Sequence, residues 1–206
     1  MDKNSWHLTI RKYSGTGSPE EIGVRVRAGW LPLLRRHPGF QAYFAARIDG
    51  GGGVFAVAVF DAREAALAAN TQALEWARAE LTDLLTSPPE VTLARVERHH
   101  SASEAGGGSY LMVRRNRVLA PSSSQPPSLQ EALVALTLRQ PGFRHLYEGR
   151  DEAQEDQAVA VGVFTNRDTA TAAHAQAVAL MAKHREVWPT PAELPLAGEV
   201  LVQAIA

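Results

Sequence analysis

Cysteine is absent from the 206 residues, which excludes disulfides, thiol nucleophiles and thiolate ligation of zinc or iron–sulfur clusters. Neither sign of charge is in excess. Lys and Arg number 21 against 22 Asp and Glu, and with no basic tract the electrostatic footprint of a nucleic-acid binder is missing. No apolar run approaches the roughly 20 residues of a membrane helix, and Met1-Asp2-Lys3-Asn4-Ser5-Trp6 lacks the hydrophobic stretch of a signal peptide. The expectation is therefore a cytoplasmic protein with no membrane or nucleic-acid partner. Ser-His-Asp spacing, a P-loop and a dinucleotide glycine fingerprint are missing too. What is there, 45% hydrophobic and 21% charged residues, is the composition of a globular chain able to build a core.

The informative feature is internal repetition. Pro38-Gly39-Phe40 recurs 103 residues on as Pro141-Gly142-Phe143, and the same offset pairs Leu8 with Leu111, Arg11 with Arg114, Leu33 with Leu136, Arg36 with Arg139 and Arg47 with Arg150. After a one-residue insertion the offset is 104. Between Ala56 and Ala73 it gives 10 identities in 18 positions, including Val57, Val59, Phe60, Arg63 and Gln72 against Val161, Val163, Phe164, Arg167 and Gln176. The matched blocks keep their order, so the chain reads as a tandem duplication. His99 to Gly108 has the Gly/Ser character of a linker.

Each half carries the same series of signals. Leu8 and Ile10, and later Leu111 and Val113, alternate with polar neighbours as in a half-buried strand. Ser18-Pro19-Glu20-Glu21 starts a helix, with Ser18 as N-cap and proline at the first helical position. Ile22, Val26, Trp30 and Leu33 form its apolar face; in the second half Ser128 is the cap and Leu129, Leu133 and Leu136 follow. The Pro-Gly-Phe turn stops each first helix. Strands about Phe40 to Ile48 and Val54 to Phe60 come next, then an alanine-rich helix about Arg63 to Leu85 and a last strand about Val91 to Val96. The second half predicts strands at Phe143 to Arg150, before Phe164 and at Glu199 to Ala204, with a helix at Arg167 to Val187.

The order βαββαβ is the split β-α-β arrangement with helices on one sheet face. The fold class is therefore α+β: two ferredoxin-like βαββαβ units fused in tandem, residues 1-100 and 109-206, joined by a linker at 101-108. The uncovered faces call for antiparallel sheets packed face to face, an intramolecular dimeric α+β barrel. Such a pseudo-dimer within one chain leaves further homo-oligomerisation open but does not require it.

The Pro-Gly-Phe helix stop, the strand ending in Val-Phe and the Arg167 to His184 helix with a histidine near its middle resemble the antibiotic biosynthesis monooxygenase family of the dimeric α+β barrel superfamily. The resemblance implies a small-molecule ligand. It also implies either cofactor-independent oxygenase chemistry on an aromatic or phenolic compound, or a protein that kept the barrel without the chemistry. The family's helix histidine is matched by His174; the first half has Asn70 there. Haem-degrading members exist, and a haem site needs a wide apolar cleft and an axial ligand of which the alanine-rich helix gives only hints, so no cofactor or metal is expected, with haem binding or degradation as the lesser alternative.

On this basis His174, on a face with Val178 and Met181, is the candidate catalytic base; the ordinary alternative is a core histidine satisfied by one hydrogen bond. Arg114, matched by Arg11, alternates out of phase with Leu111 and Val113. Both arginines are expected to point away from the helices, where they either hold an anionic substrate or form an inter-unit salt bridge. His145 and Tyr147 share a strand face with Phe143 and complete the candidate substrate-binding set. Arg47 and Arg150 read as strand-end surface charges, Trp30, Trp76 and Trp188 as helix-borne core aromatics, and His99-His100 as linker residues without metal geometry.

Overall fold

A computed structural model describes residues 6–15, 17–102, 109–118, 127–189 and 194–206. The N-terminal Met1 to Ser5 and most of the predicted linker, Ser103 to Gly108, lie outside them. The chain divides into two compact units, Met1–Val96 with Glu199–Ala206, and Glu97–Gly198. The unit boundaries therefore fall inside the last strand of each half.

The first unit contains β1 (His7–Ser14), α1 (Pro19–Arg25), a π turn (Val26–Trp30), α2 (Leu31–Leu34), β2 (Phe40–Arg47), β3 (Gly53–Phe60), α3 (Arg63–Glu80) and the start of β4 (Glu90–Ser101). β3 lies between β1 and β2, β4 pairs on the outer side of β1, and the end of β8 (Leu196–Ile205) pairs with β2, all antiparallel. The Ser18 side chain accepts from the Glu21 N–H at 3.2 Å and Pro19 opens the helix, as its sequence dictates.

That helix does not continue regularly. Pro32 has no N–H to give to residue 28, and its ring would press on that carbonyl. The chain widens into a π turn in which the Leu31 N–H reaches back to the Val26 carbonyl. The extra residue per turn shifts the buried face from the expected Leu33, which is exposed, to Leu34, which is fully buried. Ile22, Val26, Trp30 and Leu34, four residues apart, form the stripe on the sheet.

The second unit contains β5 (Tyr110–Arg117), α4 (Pro127–Leu138), β6 (Phe143–Asp151), β7 (Gln157–Phe164) and α5 (Arg167–Lys183), with β7 between β5 and β6. Asn166 caps α5 by accepting from the Thr169 N–H at 2.9 Å. α4 starts at Pro127, which puts Ser128 inside the first turn rather than at the cap.

Matched residues do the same work in both units. Gly39 and Gly142 take φ of 74° and 81°, the left-handed region that favours glycine. Their carbonyls accept from the Asp61 and Thr165 N–H at 2.9 and 2.8 Å. A Cβ would sit about 2 Å from the Asp61 or Thr165 side chain. Gln72 bonds His37, and Gln176 bonds Gln140, each at 2.9 Å, tying the second helix of each unit to the end of the first.

Three expectations are corrected. His99, His100 and Ser101 belong to β4 and not to a linker. Both long helices end about one turn early, at Glu80 and Lys183, so Trp188 lies in the turn beyond α5. The third concerns which sheet face the helices cover. Tyr13, Tyr43, Ala45, Ala56 and Ala58 pack with Ala66, Ala69, Ala73 and Ala77 of α3. Leu8 and Ile10 therefore occupy the face away from the helices, where they are fully buried like Phe44, Val57 and Val59. Alanines on α3 bring little bulk to the sheet, and the long polar side chains of β1 fill the space between.

Candidate functional site

Because the faces are inverted, Arg11 and Arg114 lie under the helices, contrary to the sequence-based expectation. Arg11 is 3% exposed and its Nη1 donates to Asn70 Oδ1 of α3 at 3.2 Å and to Thr9 Oγ1 at 3.4 Å. The matched pair in the second unit is Arg114 beside His174 of α5, whose imidazole feels the guanidinium charge. Each unit thus sets an arginine of its first strand against the helix position that reads Asn in one half and His in the other.

Each arginine also borders a cavity between sheet and helices, but the walls differ. In the first unit the cavity is about 40 Å³ and is lined by Trp30, Trp76, Tyr13, Tyr43 and Leu81 with Arg11. Trp30 and Trp76 stand 6.1 Å apart, tilted by 36°. Gly29, in the π turn, allows this: a Cβ there would lie 3.0 Å from the Trp76 ring. Burial pushes the Tyr43 hydroxyl up to about 12 despite the opposing pull of Arg11.

The cavity of the second unit is about 70 Å³, room for several waters, and its walls are charged. Arg114 and Glu148 both pair across the ladder with Ala160, so they project from the same sheet face on either side of that small residue. Asn116, Arg98, Arg150 and Trp188 complete the walls. Arg150 approaches Glu97 at 4.0 Å, and Arg98 bonds Gln130. Burial raises the Glu148 carboxyl above the usual range, outweighing the attraction of Arg114 and Arg98, and the same burial lowers Arg114. One carboxylate oxygen of Glu148 is buried without a hydrogen bond.

His174 is half-buried on α5. Burial first, and the Arg114 charge second, hold its pKa below the ordinary value. Its Nδ1 is buried and makes no hydrogen bond. The ring is not part of the cavity wall; it meets the site through Arg114.

The rest of the predicted set separates. His145 and Tyr147 pair with Val163 and Val161, on the face away from the helices. Their rings stack at 6.3 Å, and His145 Nδ1 lies 3.0 Å from Ser101 Oγ. The structure therefore puts Arg114 and His174 on the helix side of the sheet, within electrostatic reach of each other, and leaves His145 and Tyr147 on the opposite side. Arg150, expected at the surface, is 9% exposed in the cavity wall, whereas Arg47 is half-exposed at the end of β2 and pairs with Glu199 and Glu20. His99 and His100, adjacent on a strand, face opposite sides.

Sequence reasoning missed Glu148 and Asn116. The repeat carried a signal for both: at the common offset they replace Ala45 and Tyr13, so charge and amide appear where the first unit is small or aromatic.

No protein-family model matches the sequence, and no curated protein matches it. Solved structures do. A candidate monooxygenase from Fusobacterium nucleatum aligns with a TM-score of 0.74 at 12% identity, over 100% of this chain and 96% of its own. A variant of chlorite dismutase from Candidatus Nitrospira defluvii gives 0.61 at 12% identity, over 96% and 92%. An uncharacterised ferredoxin-fold protein from Listeria monocytogenes, related to antibiotic biosynthesis monooxygenases, gives 0.53 at 10% identity, over 96% and 95%. The likeness shows the fold alone: α+β, with ferredoxin-like units in tandem.

Proposed function

We propose that the chain is a small-molecule protein with monooxygenase-like chemistry in its second unit, acting on an aromatic or phenolic compound. The observation that carries this reading is the repeated position that sets Asn70 against the buried Arg11 in the first unit and reads His174 in the second, where the Arg114 charge acts on the imidazole.

A phenolic substrate entering beside Arg114 places its oxygen on the guanidinium, which favours the anion. In this reading the activated methylene extends past Arg114 to His174, whose ring lies outside the cavity wall and accepts the proton. The resulting carbanion is electron-rich enough to reduce dioxygen itself. A carbon–oxygen bond forms, the proton returns from His174 to the peroxide, and loss of water leaves a carbonyl. One methylene and one dioxygen thus give one carbonyl and one water, with no external reductant. Of the rest of the predicted substrate set, His145 and Tyr147 belong to the other sheet face and take no part in this step.

The residues of this cavity do not fit haem: its walls are charged and His174 is not one of them. A second reading, ligand binding without turnover, is favoured by that same placement of His174 outside the wall. Oxygen uptake with an anthrone or a related phenolic methylene compound separates the two. The oxygenase reading expects uptake with release of the ketone, lowered at least 100-fold in His174→Ala. Uptake unaffected by His174→Ala overturns the role of His174, and binding without uptake supports the second reading. Titration with haemin checks the fit argument, which expects no Soret shift that depends on His174.

A further inference from the structure

The outer side of the first helical segment carries a cluster that the repeat does not share. Arg27, Arg35 and Arg36 are exposed there, and with Leu31, Pro32 and Gln203 they line an open groove of about 620 Å³ within the first unit. No carboxylate lines the groove among the described residues, and none of the three arginines is in an ion pair with one. Arg27 Nη2 donates to the Leu201 carbonyl at 2.6 Å, which holds that side chain against β8.

The π turn gathers the charges. At about 100° per residue, positions eight apart on a regular α-helix differ by about 80° around the axis. The extra residue of the π turn takes up one such step and leaves Arg35 within roughly 20° of Arg27. The fold does not require this. In the second unit Gln130, Leu138 and Arg139 stand at the matched positions, Ala135 replaces Pro32, and α4 is α-helical throughout.

Three like charges on one side repel one another, and an anion with several oxygens relieves that repulsion. Guanidinium forks match phosphate oxygens in pairs, and the groove has the volume of a small-molecule cleft, roughly 300–1,000 Å³. Six lining residues are too few for a protein partner, whose interfaces take about 20–30 residues a side. A formal net charge of -1 gives no long-range attraction for nucleic acid.

We infer that this groove binds a small molecule carrying a diphosphate group, whose oxygens bridge Arg27 on the π turn to Arg35 and Arg36 at the helix end. The site is separate from the cavity of the second unit and independent of the chemistry proposed for it.

The test titrates sodium pyrophosphate and sodium phosphate into the full chain at constant ionic strength without divalent cations, followed by calorimetry and by the arginine Nε–H signals. Pyrophosphate is expected to bind at one site, about tenfold or more tightly than phosphate, and to shift the Arg27 and Arg35 signals. Arg35→Gln and Arg36→Gln change exposed side chains, so both variants should keep the Tm of the unaltered chain and bind pyrophosphate several-fold more weakly. Arg139→Gln, at the matched position of the second unit, should bind it as the unaltered chain does. ADP binding more tightly than pyrophosphate identifies an organic diphosphate whose body rests on Leu31 and Pro32; ADP binding no more tightly identifies the inorganic anion. Pyrophosphate no tighter than phosphate, equal weakening by Arg139→Gln, or no binding at millimolar pyrophosphate each overturns the inference. Hexaglutamate binding more tightly than pyrophosphate overturns it in favour of an acidic peptide.

Discussion

The two cavities occupy the same place in the same repeated frame and differ in almost every wall. Each has an arginine from the first strand, an alanine on the central strand, at 56 and 160, and an alanine-rich helix above. Where the first unit has Trp30, Tyr13, Ala45 and Asn70, the second has Leu133, Asn116, Glu148 and His174. The first arrangement solvates its cation with neutral groups and aromatic surface; the second pairs it with a carboxyl and adds an imidazole able to move a proton. The frame was conserved by packing, since Pro-Gly-Phe, Gln72 with Gln176 and the helix alanines hold sheet and helices together. The positions facing the cavities carry no such burden and were free to change.

The matched arginines at the ends of β2 and β6 offer the largest expected contrast. Arg150 is buried beside Glu97, so Arg150→Ala removes a buried guanidinium and its packing from the cavity wall and should cost about 3 kcal/mol in urea denaturation. Arg47 is half-exposed and its ion pairs are screened by solvent, so Arg47→Ala should cost roughly 0–1 kcal/mol. Equal costs would break the distinction between a built cavity wall and a surface charge.

A smaller effect is expected from Glu148→Gln. Burial raises the Glu148 pKa, so the folded state binds its proton more tightly than the unfolded state does. Such a group favours folding fully at pH below its unfolded value near 4.5, and that contribution is lost as pH rises through the folded value. The amide does not ionise, so Glu148→Gln should raise Tm at pH 7.5 by roughly 2 °C and give no gain at pH 4. A lower Tm at pH 7.5 would mean that attraction to Arg114 outweighs burial, making the second cavity a stabilising ion pair.

The sequence made the element order legible because its signals were local: period-two strands, the Ser18-Pro19 helix start, and a glycine stop in both halves. The duplication was legible for the same reason. The orientation of the sheet was not, because apolar residues cover both faces and the rule that the greasier side meets the helices has no purchase. Leu8 and Ile10 suggested one face; the small side chains of α3 decided the other. The π turn is written in Pro32 and Gly29 together, but its consequence, the move from Leu33 to Leu34, depends on an extra residue that periodicity treats as regular helix. Of the candidate site, Arg114 and His174 were legible from matched positions. Placing His145 and Tyr147 with them failed because residues two apart on a strand share a face with each other, while nothing local says which face that is.

The account turns on His174 lying under the influence of Arg114 on the helix side of the sheet. The most direct measurement is the His174 pKa, followed by the carbon-bound proton shifts of the imidazole across pH 4 to 9 in the full chain and in Arg114→Gln. Because the folded value is lowered, the folding contribution of this histidine is complete above its unfolded value near 6.5 and is lost as pH falls through that range to the folded value. The account predicts a pKa below 6.5 that rises when Arg114 loses its charge. A pKa at or above 6.5, unmoved by Arg114→Gln, would contradict it.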